Sequence, residues 1–291
     1  MITKLFFFTL ILISFSKSSF ALGKLGHQIV CQLAFEHLSL AKQSQIATLL
    51  KIIPEKHQRL INHYHYKKQS RPITFANACT WADAIKRLDN FKAYRPSHYM
   101  NVPRDHINIT VNDCSKNCIP QAILQHQKTL AQTKKQANWQ QVQALLFLGH
   151  WLGDIHQPLH ISFSDDLGGN NVKLSHSTTQ CKNLHSYWDK CILYKGKNSK
   201  KKWLALLTKK WNQHSQPNWQ AEQVWQWADE SFQLAKSASL NYCRLTNQGS
   251  CQKLTGKIRL PVNYLDQHQV VIEQRLLLAA QRLTKILEAT L

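Results

Sequence analysis

One short run, residues 149–160 (GHWLGDIHQPLH), constrains the fold of this chain more than any other feature. His150 and Asp154 lie four residues apart, so a helix would project both side chains from one face. Pro158 would end or bend that helix and allow His160 to approach the same place from another direction. The residues between them are largely apolar, and a buried imidazole or carboxylate needs a partner or a metal to offset its desolvation. The run therefore predicts a helix that is buried around a divalent cation.

A second histidine–aspartate pair with the same spacing lies in the run NLHSYWD, at His185 and Asp189. One such pair is more often a hydrogen-bonded pair on a helix surface than a set of metal ligands. Two pairs among aromatic and aliphatic neighbours favour the metal interpretation. Three further candidates lie upstream, namely Asp83 in WAD, His98 in SHYMN and His27 in LGKLGH. Alone, each is a weak indication, since Asp83 also fits a helix-surface acid and His98 a loop histidine.

The first 21 residues have the pattern of a signal peptide. Lys4 supplies the positive start, residues 5–15 are apolar, and small residues precede a cleavage site after Ala21. A membrane anchor is the alternative, but the apolar run is short for a bilayer span. We therefore expect a signal peptide over 1–21, one catalytic domain over 22–291, and a secreted or periplasmic protein with no membrane anchor after cleavage.

Eight cysteines in an exported chain favour disulfides over redox chemistry. Zinc ligation by the thiols is an alternative, although the chain has no C-x-x-C pair to support it. Other connectivities stay open at this stage. Local spacing suggests the pairs Cys114–Cys118, Cys181–Cys191 and Cys243–Cys251, which leaves Cys31 with Cys79.

Apolar residues at intervals of three and four predict a mainly helical domain with few short strands. Glycine is scarce, at nine residues, which agrees with that prediction. The run 98–113 fits a short strand or an irregular loop, and 164–171 (SDDLGGNN) fits a turn. The predicted helices cover 27–38, 44–51, 74–88, 120–133, 139–154, 199–212, 221–239 and 265–289.

The formal net charge of +21 makes polyanions plausible partners. Nucleic acid, anionic lipid and surface polysaccharide all fit, and so does a basic surface that only aids solubility. Charge therefore ranks substrates without naming one.

At this point the chain resembles the S1/P1 nucleases, which are zinc-dependent single-strand nucleases and 3′-nucleotidases. The ordered motifs LGKLGH, WADAIK, SHYMN, LGHWLGDIHQPLH, GGN and NLHSYWD carry the resemblance from Leu22 through Asp189. It implies the helical fold shared with zinc phospholipases C, stapled here by disulfides, and it supports a Cys31–Cys79 pair. It also implies three zinc ions. The implied ligands are Asp83, His98, His150 and Asp154 for the first ion, His160, His185 and Asp189 for the second, and His27, Asp154 and the main-chain amine and carbonyl of Leu22 for the third.

Three positions depart from the family pattern. Leu22 stands where the family usually has tryptophan, but the implied ligand atoms are backbone atoms and depend only on cleavage after Ala21. Lys86 stands where arginine is typical, which keeps the charge and loses the bidentate fork. Asn101 replaces an acid that binds adenine in some members, so base preference is open.

The resemblance implies an endonuclease that cleaves single-stranded RNA or DNA to 5′-phosphate products, and whether isolated 3′-nucleotides are also hydrolysed stays open at this stage. In catalysis Asp83 would also orient the attacking water, and Lys86 would offset charge on the phosphoryl oxygens. For substrate binding, Tyr99 is a candidate platform for a base, with Asn101 and Asn170 as polar contacts. Tyr99 fits the core equally well, and Asn170 fits a purely structural turn. No stable protein partner is implied.

Two other functions compete with this interpretation. A zinc phospholipase C shares the scaffold and the chemistry, but the local motifs and the basic charge favour nucleic acid. A non-catalytic, zinc-stabilised protein that binds nucleic acid would need closed coordination, whereas this ligand count leaves positions open for water.

Overall fold

The computed structural model describes residues 22–67, 69–114, 117–132, 137–175, 181–197, 199–211, 213, 223–248 and 250–291. The predicted signal peptide, residues 1–21, lies outside the described residues. Within these ranges no helix has the combined length and hydropathy that a membrane crossing needs. The fold is mainly helical, as predicted.

Eleven α-helices and six short strands are formed within the described ranges. The helices are α1 Lys24–Glu36, α2 Leu40–Lys51, α3 Glu55–Tyr66, α4 Phe75–Ala78, α5 Trp81–Ile85, α6 Ile119–Gln132, α7 Trp139–Ile155, α8 Leu184–Asp189, α9 Lys200–Trp211, α10 Val224–Lys236 and α11 Tyr264–Thr290. The strands are β1 Met100–Val102, β2 Ile161–Phe163, β3 Lys173–Leu174, β4 Arg244–Leu245, β5 Cys251–Gln252 and β6 Lys257–Ile258.

Helix α7 is the centre of the core. The Asn138 side chain caps its start by accepting from the Gln141 amide at 2.9 Å, and the helix ends at Ile155, three residues before Pro158. Every residue over 144–155 is buried, because α1, α5, α6 and α11 pack around it. A helix that is buried all round needs partners for each polar side chain that it carries.

The predicted helix over 74–88 is interrupted. The structure has α4 and α5 instead, with a break at Cys79 and Thr80, where Cys79 is joined to Cys31 of α1. The Thr80 hydroxyl donates to the Asn77 carbonyl at 2.8 Å and so closes α4. The break matters because it leaves the Cys79 carbonyl available to accept a hydrogen bond from the His150 side chain.

Helix α3 was not predicted from the sequence. Its buried residues are His57, Ile61 and Asn62, so two of the three side chains that face the core are polar. A helix of this kind lacks the apolar period on which the sequence prediction depends.

Two of the strand pairs are parallel. In the pair β1–β2, Met100 lies opposite Ile161, which places the residues just before the two strands side by side. The pair β3–β6 joins the region before α8 to the segment before α11, and β4–β5 is an antiparallel pair.

The eight cysteines form four disulfides, and the pairs are those that local spacing suggests. Cys31–Cys79 lies under α7, where Gly149 faces it. A Cβ at Gly149 would collide with the Cys79 sulfur and lie 2.8 Å from the Cys31 sulfur, so this position has no room for a side chain.

Candidate metal centre

Three groups of buried imidazoles and carboxylates meet at the carboxyl end of α7. In each group the potential ligand atoms lie within 4.8 Å of one another. The groups are His27, His150 and Asp154; Asp83, His98 and His150; and His160, His185 and Asp189. All eight side chains that the sequence predicts as ligands are therefore brought together.

The Asp154 carboxylate lies between two of the groups. Its Oδ2 atom is 3.2 Å from His150 Nε2 and 3.0 Å from His98 Nδ1. Its Oδ1 atom is 3.3 Å from His27 Nε2 and 3.3 Å from the Leu22 main-chain nitrogen. One carboxylate thus faces both the first predicted ligand set and the third, and Leu22, the predicted first residue of the mature chain, lies beside it.

Strand pairing and the turn at 164–171 position the second set. Because His98 precedes β1 and His160 precedes β2, the pairing of these strands brings His160 Nδ1 to 2.8 Å from the His98 carbonyl. His160 Nε2 is 3.4 Å from one oxygen of Asp189, and His185 Nε2 is 3.3 Å from the other. Helix α8 therefore places His185 and Asp189 beside His160.

Three of the imidazoles are oriented by backbone carbonyls. His150 Nδ1 lies 2.7 Å from the Cys79 carbonyl, and His185 Nδ1 lies 2.7 Å from the Gly168 carbonyl. His160 Nδ1 lies beside the His98 carbonyl, as described above. A carbonyl only accepts, so each Nδ1 carries the proton, and in the neutral ring each Nε2 keeps a lone pair that is free to bind a cation. This is the tautomer that a histidine adopts when Nε2 binds a metal.

Several buried atoms of the centre have no hydrogen-bond partner among the described residues. They are both ring nitrogens of His27, Nε2 of His160 and Oδ2 of Asp189. Leaving such atoms unsatisfied is costly, and cations at two of the groups would satisfy one ring nitrogen of His27, His160 Nε2 and Asp189 Oδ2. A set of imidazole nitrogens and carboxylate oxygens matches the ligands that zinc takes in proteins, so the residues present fit that ion.

The charges of the centre suit cation binding. Burial alone would raise the pKa of Asp154, but His150 and His160 bring it well below its ordinary value. Burial lowers the pKa of His98 to about 4 and also lowers the pKa of His27. Ionised carboxylates and neutral imidazoles are the ligand forms that metals require.

His150 and His160 behave differently, because the Asp154 carboxylate raises their pKa in spite of burial. A cation at these two nitrogens competes with a proton, and its affinity should fall as the pH falls.

Two residues that sequence reasoning did not single out support the candidate ligands. Gln157 donates from Nε2 to Asp189 Oδ1 at 2.6 Å, while its Oε1 accepts from the Leu159 amide at 2.6 Å. Tyr64 of α3 donates to Asp83 Oδ2 at 3.2 Å. Gln157 lies inside the run 149–160 and could have been identified there, whereas no sequence signal marks Tyr64.

The predicted catalytic pair lies at the edge of the centre. Lys86 Nζ is 2.9 Å from Asp83 Oδ1, and the lysine side chain is half-buried. Burial would raise the pKa of Asp83, but Lys86 and the nearby imidazoles bring it below its ordinary value.

Two of the three predicted substrate contacts, Asn101 and Asn170, lie by the turn that orients His185, and Tyr99 follows His98 of the first ligand group. Tyr99 is 40% exposed. The Asn101 Oδ1 atom is buried without a hydrogen-bond partner among the described residues, and Asn170 is half-buried in the turn. Gly168 of that turn has a φ of +61°, and a Cβ there would lie 2.5 Å from the Leu159 carbonyl and 3.5 Å from both Asn101 Oδ1 and His185 Nδ1.

Comparisons with known proteins agree with this geometry. The chain is 32% identical to Endonuclease 3 of Arabidopsis thaliana over 177 residues, which cover 59% of this chain and 54% of the relative. It is 32% identical to Endonuclease 2 of the same plant over 182 residues, covering 59% and 56%. With Nuclease S1 of Aspergillus oryzae it shares 25% identity over 182 residues, covering 61% and 56%. The chain thus spans little more than half the length of these relatives.

The match to a family model is wider. A model described as S1/P1 Nuclease matches residues 22–291, which is the whole segment after the predicted signal peptide. Over these residues the chain belongs to the S1/P1 nuclease family.

Proposed function

We propose that this protein is a zinc-dependent endonuclease that hydrolyses phosphodiester bonds in single-stranded RNA or DNA, leaving 5′-phosphate and 3′-hydroxyl ends. We further propose 3′-nucleotidase activity at the same site. The single observation that carries the proposal is the Asp154 carboxylate, whose two oxygens face two separate groups of candidate ligands. Clustered divalent cations that share a carboxylate suit phosphoester hydrolysis.

Three zinc ions would be held by the residues already described. The assignment is Asp83, His98, His150 and Asp154 for the first, His160, His185 and Asp189 for the second, and His27, Asp154 and the main-chain amine and carbonyl of Leu22 for the third. The third set depends on signal-peptide cleavage after Ala21, because only cleavage frees the amine. When bound, the ions would acidify water and stabilise charge on the attacking and leaving oxygens.

The chain's own residues would orient the reactants. Asp83 lies at the edge of the ligand cluster and would accept a hydrogen bond from the attacking water. Tyr64 and Lys86 hold its two oxygens in place at 3.2 and 2.9 Å. The Lys86 ammonium would also balance charge on a non-bridging phosphoryl oxygen, through one contact where arginine would make two.

Binding of a single strand would use the exposed ring of Tyr99 as a stacking surface. A base in a duplex is already stacked, so this contact favours unpaired substrates. Asn101 and Asn170 would supply polar contacts on the side of the turn at 164–171.

The four disulfides suit an oxidising compartment. We therefore propose that residues 1–21 direct export and that the mature protein acts outside the cytoplasm.

The test combines metal analysis of the mature protein with release of 5′-mononucleotides from single-stranded DNA, with and without chelator. The expected result is about three zinc ions per chain and hydrolysis that chelation abolishes. Cleavage of phosphatidylcholine without cleavage of nucleic acid would instead identify a phospholipase C. Three bound zinc ions without hydrolysis of any phosphoester would identify a binding protein.

A further inference from the structure

A basic cleft lies on the strands near the carboxyl end of the chain. It has a volume of about 540 Å³ and is lined by residues of β4, β5, β6 and their connections. Four of its lining residues are cations: Arg244, Lys253, Lys257 and Arg259. Resting on the proposed function, we propose that this cleft is an exosite that binds backbone phosphates of the polynucleotide apart from the metal centre.

The positive charge of the cleft is not neutralised from within. Arg244, Lys257 and Arg259 are exposed, and none of the three forms an ion pair within the described part of the chain. No acidic side chain is among the lining residues that the structure describes. Three unpaired cations around one concavity attract a ligand that carries several negative charges.

The acids next to the cleft already have partners. Asp165 is 2.9 Å from Arg104 Nε and 3.6 Å from Lys253 Nζ. Asp166 also pairs with Arg104, and its Oδ1 accepts from the Tyr242 hydroxyl at 2.6 Å. These acids therefore do little to reduce the attraction of an anion to the other three cations.

Hydrogen bonds and strand pairing connect the segments around the cleft to those that support the second ligand group. Asp166 Oδ1 accepts from the Gly169 amide at 2.8 Å, in the turn whose Gly168 carbonyl orients His185. In the parallel pair β3–β6, the backbone of Lys257 lies opposite that of Lys173. Lys173 also forms an isolated backbone β-bridge with Asn183, the residue that caps α8. A strand bound in the cleft is thus held by the same framework that supports His185.

The chemistry of the lining indicates how a strand would be recognised. No aromatic ring is among the described residues that line the cleft, whereas stacking of bases needs one. Contacts to phosphates fix the position of a strand and carry no sequence information. Binding should therefore depend on strand length and salt and hardly at all on base sequence.

The test compares two triple variants as zinc-loaded protein. In R244Q/K257Q/R259Q the three unpaired cations are removed from the cleft. In the control, K51Q/K56Q/K128Q, the same charge is removed from exposed lysines of α2, α3 and α6 that do not line it. The probe is a fluorescent 30-nucleotide phosphorothioate oligothymidylate, which keeps its charge and resists cleavage, and anisotropy measures its affinity.

The cleft variant should bind this probe about tenfold or more weakly at 50 mM salt, and the slope of log affinity against log salt should shrink by about 2, near 0.7 for each lost contact. The control should keep both values within about twofold of the wild type. Hydrolysis of a thymidine dinucleotide, whose one internucleotide phosphate lies at the metal centre when it is cleaved and leaves none for the cleft, should be unchanged in both variants. Thermal unfolding midpoints that match the wild type would show that both variants fold.

Equal loss of affinity in both variants, or none in the cleft variant, would overturn the exosite. So would a cleft variant that keeps its affinity for the oligonucleotide and loses binding to phosphatidylglycerol vesicles, because the cleft would then serve lipid. A wild type that hydrolyses no nucleic acid would instead refute the proposed function, and the anisotropy comparison would still test the cleft.

Discussion

His150 and Asp154 lie in a buried helix of 17 residues, whereas His185 and Asp189 lie in a helix of six. The spacing of the two pairs is the same, but their support is different. Helix α7 is held by apolar packing on every side. Helix α8 buries Leu184 and Trp188 in the core but is too short to be packed on every side, and it is also held by polar contacts and by the Cys181–Cys191 disulfide, whose cysteines flank it.

The polar contacts of α8 are numerous for its length. Asn183 and Ser186 cap it reciprocally, the Gly168 carbonyl orients His185, and Gln157 holds Asp189. Apolar packing is spread over many weak contacts, so the loss of one contact changes the position of a helix little. A helix held by individual hydrogen bonds shifts more when one of them is removed. The comparison teaches that the α8 pair should be sensitive to changes outside the ligands, and the α7 pair should not.

The largest expected effect comes from the shared carboxylate. Asp154→Asn should lower the bound zinc from three ions to about one and reduce hydrolysis of single-stranded DNA by about 10³-fold or more, because each ion contributes several kcal/mol to the transition state. Asp189→Asn should remove one ion only. Metal analysis alongside initial rates checks both, and equal zinc loss in the two variants would refute the bridging role of Asp154.

The second prediction concerns the outer partner of the α8 pair. Gln157→Leu should lower the affinity for one zinc ion by about 10- to 100-fold, because Asp189 loses its 2.6 Å hydrogen bond. The affinities for the other two ions should not change. Zinc retained against increasing chelator measures this as a separate, early step. Tyr64→Phe, which affects Asp83 instead, is the matched control and should weaken a different ion.

The third prediction separates the stability of α7 from its metal binding. Arg275 donates to the carbonyl of His156, which follows α7, and both Arg275 and Arg282 pair with Glu230 at 3.1 and 2.7 Å. Glu230→Gln should lower the unfolding free energy by about 2 kcal/mol, less than for a fully buried pair because the Glu230 side chain is 40% exposed. The thermal midpoint should fall by about 5 °C with three zinc ions retained, and simultaneous zinc loss would contradict the buffering of α7.

This variant also has a pH signature. Burial would raise the pKa of Glu230, but Arg282 and Arg275 bring it below its ordinary value of 4.5. Stability from the ionised carboxylate is therefore present above pH 4.5 and is lost as the pH falls through the lower folded pKa. The difference in midpoint between wild type and Glu230→Gln should accordingly shrink below pH 4.5.

The smallest expected effect, the loss of a helix cap, compares the two helices most directly. Asn138 caps α7 and Asn183 caps α8, through hydrogen bonds of 2.9 and 2.7 Å. Each asparagine-to-alanine change should cost about 1 kcal/mol and lower the thermal midpoint by about 2 °C. Only Asn183→Ala should also lower the affinity for a zinc ion, because the cap is a larger share of the support of a helix of six residues than of one of 17. Equal zinc affinity in both variants would show that the disulfide alone fixes α8.

Much of this could be predicted from the sequence. The spacing of His150 and Asp154 on an apolar helix indicated a buried pair, and the helix α7 bears that out within one residue. The disulfide pairs also follow local spacing, since three of them close short loops. Helix α3 could not be predicted because two of its three buried side chains are polar, and no local pattern marked the break between α4 and α5, which falls where Cys79 joins Cys31 of α1.

By itself, the sequence determined which residue types could bind cations and which helical faces would present them, because side-chain period is a local property of the chain. The shared role of Asp154 and its closeness to Leu22 were implied by the family resemblance and by no local pattern. Only the tertiary structure decided that Gln157 and Tyr64 hold the carboxylates. These contacts join residues far apart in the chain. Burial of the surrounding apolar side chains brings them together, and no local pattern encodes that packing.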